Sequence, residues 1–168
     1  EDDWPKPYPS DPANPVKQSF SAQLPLAREA VVRLIARLRD QFAPETVILA
    51  GHSQGAMLAL DVAVVTEPPP DRVVLLSGYA LLDSVPNITR SREVTPVVLI
   101  SHGQSDPVVP FSSAKDMRQL LAENGFSVEF NEFAGGHGIE SSVVAAVSAF
   151  VRPTASPGVL DEEATDAH

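Results

Sequence analysis

Four short apolar runs, separated by helical stretches, limit what this chain can fold into. The runs are residues 46–50, 72–77 (around Val73, Val74, Leu75 and Leu76), 96–101 (around Val97, Val98, Leu99 and Ile100) and 127–133. Helical patterns occupy 26–42, 54–65, 113–124 and 139–151. In the first of these, Leu26, Ala30, Val31, Leu34, Ile35, Leu38 and Phe42 recur every three or four residues, and Arg28, Arg33, Arg37 and Arg39 fill other faces. That spacing is an amphipathic helix. Pro44 ends it, Pro68-Pro69-Pro70 ends the second, and Gly125 stops the third. A strand that is apolar along its whole length is covered on both faces, and helices between such strands imply parallel pairing. The predicted class is therefore α/β, a three-layer domain with a mostly parallel sheet and helices on both faces.

The domain is expected to span 26–152. Ahead of it, residues 1–25 form an irregular lead-in, with five prolines in the first fifteen positions. Proline lacks a backbone donor and fixes φ. Behind it, 153–168 turn to Ala, Ser, Asp and Glu and read as a disordered acidic tail. The 168 residues suffice for one domain with its own core. A net charge of −10 argues against nucleic acid and anionic membranes as partners. No apolar run reaches membrane-spanning length, and no signal-peptide pattern opens the chain. The absence of cysteine removes disulfides, thiolate metal sites and a cysteine nucleophile. A cytoplasmic location is expected. The chain begins at Glu1 rather than Met, so it is expected to be processed or part of something longer.

The run at 46–50 leads into Gly51-His52-Ser53-Gln54-Gly55 and then a helix. Gly-X-Ser-X-Gly arises by chance in roughly 5% of chains of this size, but the strand-to-helix position is what a nucleophile elbow requires. The sharp turn would present Ser53 at the C-terminal edge of the sheet. The Gln54 backbone N–H, at the helix start, would face a developing oxyanion. The competing reading is a serine that only caps the helix.

A serine hydroxyl needs a base. Of the four histidines, His52 sits inside the motif with its side chain expected to point away from the Ser53 hydroxyl, His102 ends a strand, and His168 is the last residue. His137 follows the fourth strand in Gly135-Gly136-His137-Gly138 and so lies at the same sheet edge as Ser53. Its alternative role is a surface histidine in a glycine-rich turn. An acid must orient the imidazole. Asp106 follows the third strand and fits the chain order Ser, Asp, His. Its alternative is an Asx turn before Pro107, and Asp83, after the second strand, is its competitor. Ligand crevices of open α/β sheets lie outside the carboxyl ends of the strands, where all three groups fall.

Residues 47–55, 99–110 (Leu99-Ile100-Ser101-His102-Gly103-Gln104-Ser105-Asp106-Pro107-Val108-Val109-Pro110) and 135–139, together with Leu75-Leu76-Ser77-Gly78-Tyr79, resemble the phospholipase/carboxylesterase family of α/β-hydrolases, the group that includes acyl-protein thioesterases. The resemblance covers about 26–151. It implies hydrolysis of carboxylic esters or thioesters with Ser53 as nucleophile, His137 as base and Asp106 as its partner, and no metal or cofactor. Before Leu26 nothing resembles the family's early strands or its His-Gly loop, which supplies a second oxyanion donor. The domain is thus expected to be an N-terminally shortened hydrolase, leaving the elbow strand as an open sheet edge for an oligomer or a missing N-terminal segment. The expected activity is a serine carboxylesterase on small to medium acyl esters. The alternatives are an acyl thioesterase and a non-catalytic fragment that binds or assembles. Leu81, Val108 and Val109, in loops after strands, are the expected substrate contacts.

Overall fold

A computed structural model of the chain describes residues 15–81 and 84–152, with side chains of the first helix described from residue 22 on. The expected tail, the first fourteen residues, Leu82 and Asp83 lie outside the described residues. The element order is α1 (Pro15–Phe42), β1 (Ile48–His52), α2 (Gln54–Ala63), β2 (Arg72–Leu76), α3 (Val85–Ile88), β3 (Val97–Gly103), α4 (Phe111–Glu123), β4 (Val128–Phe133) and α5 (Ser141–Phe150).

The strands form one sheet in the order β1-β2-β3-β4, every pair parallel. Strand alternation sorts its side chains between two faces. Val73, Leu75, Val98 and Ile100 face α2 and α4, packing with Ala59, Leu60, Met117 and Leu121. Val74 and Leu99 face the other way, against Phe150 of α5. Helices therefore cover both faces, as continuously apolar β2 and β3 require.

Two boundaries differ from the sequence pattern. The first helix begins at Pro15, not at 26, and Pro25 lies inside it. Proline costs the helix one hydrogen bond. The neighbouring Leu24 offsets part of that cost, being buried with Met57, Tyr79, Leu81 and Val109. The short α3 carries no periodic signature in four residues. Its Ile88 is fully buried in the main core, so tertiary packing accounts for it.

α1 is held to α2 by charge as well. Arg28 donates through Nε (2.5 Å) and Nη2 (2.9 Å) to the two oxygens of Asp61, which is fully buried and also accepts from the Ser84 hydroxyl at 2.8 Å. Beyond that contact α1 leaves Leu34, Leu38 and Phe42, spaced four apart, exposed. β1 pairs only with β2 among the described residues, so its other side is an open edge.

Candidate active site

Ser53 stands between β1 and α2 in a backbone conformation rare for any residue but glycine, φ 54° and ψ −119°. Such a residue persists only where its surroundings hold it. Here its N–H donates to the Leu76 carbonyl at the end of β2, at 2.7 Å. Gly51 is required for the turn: a Cβ there would lie 2.1 Å from the Gly55 carbonyl oxygen. The helix-cap reading of Ser53 does not hold, because its side chain makes no cap hydrogen bond. Instead its hydroxyl lies 2.9 Å from His137 Nε2.

His137 reaches Ser53 across the sheet. β1 and β4 are opposite edges, three strand spacings or about 14 Å apart. The loop after β4 must therefore bend back over the end of β3. It does so at Gly103, where Gln104 N–H donates to Phe133 O (2.7 Å) and Ser105 N–H to Gly135 O (3.0 Å). A Cβ on Gly103 would lie 2.2 Å from Gly136 O and 2.3 Å from Gly135 O. The loop rests on a position that only glycine leaves open.

Asp106 lies in the turn after β3 with its side chain fully buried. Its two oxygens have separate partners. Oδ1 accepts from the backbone N–H groups of Val108 (2.8 Å) and Val109 (2.9 Å), the Asx turn that the Asp-Pro pair suggests. Oδ2 accepts from His137 Nδ1 at 2.7 Å. A carboxylate can only accept, so Nδ1 carries the proton and Nε2 presents a lone pair to the Ser53 hydroxyl. A hydroxyl, an imidazole in the accepting tautomer and a buried carboxylate thus stand in line, an arrangement able to withdraw the serine proton and stabilise the imidazolium that results.

His52 is a contact that the sequence pattern did not reveal. Its Nε2–H donates to the His137 carbonyl at 2.8 Å, and the two rings stand 5.0 Å apart. It steadies the backbone of the residue that faces Ser53. The Gln54 amide is the first of α2, where helix geometry supplies no intrahelical acceptor. Among the expected substrate contacts, Leu81 and Val109 need correction. Both are closed into the cluster around Leu24 and Met57, at 2% and 1% exposure. Leu24 of α1 packs in the same cluster as both residues. Val108 remains partly exposed.

A groove of about 600 Å³ runs between Pro68, Asp71, Arg90, Arg92 and Thr95. It opens where β2 and β3 begin, at the end of the sheet opposite Ser53. Among the described residues there is no group of three or more His, Cys, Asp or Glu that could hold a metal ion, and no helix is long and apolar enough to cross a membrane.

The chain is similar to acyl-protein thioesterase 1 of Gibberella zeae, 31% identical over 120 residues that make up 68% of this chain and 50% of that protein. A probable carboxylesterase of Oryza sativa subsp. japonica is 28% identical over 116 residues, 67% of this chain and 43% of the relative. The chain thus spans about half the length of the curated relatives it matches. Among solved structures, esterase PE8 superposes with a TM-score of 0.72 at 25% identity, covering 85% of this chain and 67% of the other. Zea mays acyl-protein thioesterase 2, at 20% identity and TM-score 0.58, shares the fold. The architecture is that of an α/β-hydrolase, and with the family model matching residues 8–155, the chain belongs to the phospholipase/carboxylesterase family.

Proposed function

We propose that this chain is a serine hydrolase of carboxylic esters, acting through an acyl-enzyme on Ser53. The observation that carries the reading is the unbroken line from Ser53 Oγ through His137 to Asp106, at 2.9 and 2.7 Å. His137 Nε2 takes the hydroxyl proton as Oγ attacks the ester carbonyl. The oxyanion formed is met by the Gln54 backbone N–H. His137 then returns the proton to the departing alcohol, leaving Ser53 acylated. A water activated by the same imidazole attacks the acyl-enzyme and releases the acid. Asp106 keeps Nδ1 protonated and offsets the imidazolium charge throughout. The partner is a small-molecule ester with a small to medium acyl group, for which the half-exposed Val108 is the proposed contact.

The relatives named as acyl-protein thioesterases favour a second reading with the same machinery, a thiol in place of the alcohol as leaving group. A panel of matched p-nitrophenyl esters and acyl thioesters separates the two by their relative kcat/KM. The test of the shared chemistry is a fluorophosphonate probe followed by intact mass. Stoichiometric labelling is expected on wild type and none on Ser53→Ala, with hydrolysis of a short-chain ester falling about 10³-fold or more in the variant. Absence of labelling on wild type at long times would overturn the proposal and leave a non-catalytic module, with the open edge of β1 as its pairing surface.

A further inference from the structure

His102 is a buried histidine that the proposed reaction leaves without a task. It sits on β3, fully inaccessible, four residues before Asp106. Its Nε2 is 2.9 Å from the Val109 carbonyl oxygen and 3.3 Å from Asp106 Oδ2. Both neighbours can only accept, so Nε2 carries a proton. Nδ1 is buried and has no hydrogen-bond partner among the described residues. A buried polar atom left unpaired costs stability and calls for a compensating role.

We propose that His102 is a positioning residue for the proposed catalytic acid, acting on His137 only through Asp106. Its N–H holds the Val109 carbonyl, while the amide of that same residue donates to Asp106 Oδ1 at 2.9 Å. The turn from β3 to Val109 is thereby closed on two buried side chains, His102 at the Val109 carbonyl and Asp106 at its amide. The same protonated nitrogen stands 3.3 Å from Oδ2, the oxygen that accepts from His137 at 2.7 Å, near enough for electrostatic attraction without a hydrogen bond. The carboxylate is fixed in the plane and direction that the His137 Nδ1–H requires. The unpaired Nδ1 is the cost of placing a donor at that point.

The inference rests on the reading of Ser53, His137 and Asp106 as the hydrolytic machinery, and its test has two arms. In the first, His102→Leu removes the donor at similar volume, and His102→Gln restores a donor near the position of Nε2. Turnover of a short-chain p-nitrophenyl ester is expected to fall about ten-fold in the leucine variant with KM little changed, and to recover most of that loss in the glutamine variant. Equal losses in both variants would overturn the proposal, since a role in packing alone does not distinguish a donor from its absence. The second arm needs no variant and no activity. Imidazole nitrogen spectra of the labelled wild-type protein are expected to show His102 protonated at Nε2 and bare at Nδ1, and the opposite tautomer would overturn the proposal even if both variants failed to fold. Failure of the hydrolase reading itself appears separately, as absence of fluorophosphonate labelling on the wild-type protein.

Discussion

Gly103→Ala tests whether the path of the His137 loop over the sheet sets the reactivity of Ser53. The new Cβ would stand 2.2 and 2.3 Å from the carbonyl oxygens of Gly136 and Gly135. Non-bonded carbon and oxygen atoms settle near 3.3 Å, so the loop must lift by about 1 Å. Both clashing groups are backbone, and neither can rotate away as a side-chain tip would. His137 is the next residue, and its Nε2 is 2.9 Å from Ser53 Oγ. A displacement of that size carries the contact to about 4 Å, outside hydrogen-bond range. Misplacement by 1 Å costs on the order of 10²-fold in rate. The assay is kcat on a short-chain p-nitrophenyl ester, measured beside thermal unfolding so that loss of folded protein is not mistaken for loss of rate. Gly138→Ala is the control in the same loop, because a Cβ there meets nothing within 4 Å. It should stay within about threefold of wild type. If Gly103→Ala kept kcat within threefold of wild type, the loop would not be seated as described.

Asp106→Asn should keep the fold and lower kcat by about 10³–10⁴, because an amide nitrogen facing Nδ1 favours the wrong imidazole tautomer. Parallel loss of fluorophosphonate labelling rate checks it. His52→Ala removes the 2.8 Å hydrogen bond to the His137 carbonyl and should lower kcat about ten-fold, with KM as the internal comparison. Arg28→Met leaves the Asp61 carboxylate buried with the Ser84 hydroxyl but without its bidentate cation. It should destabilise the protein by about 3 kcal/mol, read as a fall in Tm of roughly 9 °C.

Composition and periodicity carried most of the architecture because β2 and β3 are apolar along their length and α1, α2 and α4 are each followed by a proline or glycine breaker. The same reasoning located Ser53, Asp106 and His137 at strand ends, and the structure brings their side chains within hydrogen-bond distance. What local pattern could not convey was anything decided by tertiary contact. The early turns of α1 contain prolines that argue against a helix, yet Leu24 is anchored in the core. Leu24 clusters with Met57, Tyr79, Leu81 and Val109, so Leu81 and Val109 are buried although the loop positions alone suggested they were open to substrate. His52 and His102 have identities visible in the sequence, but their partners are backbone carbonyls, which leave no trace in residue type. Gly103 offered a faint signal, a glycine ending an apolar strand, whose reason is a loop arriving from the far edge of the sheet.

That far edge also dictates when the site comes into being as the chain folds. Ser53 and His137 are 84 residues apart in sequence, and their meeting depends on β1 through β4 standing side by side in order. Contacts of such long sequence separation are made late, after local helices and neighbouring strand pairs have formed. Helix signals can return early during refolding, but a reactive serine requires the sheet to be complete from one edge to the other. If Ser53 is the nucleophile proposed, its covalent capture by a fast probe during refolding should lag the return of the helix signal.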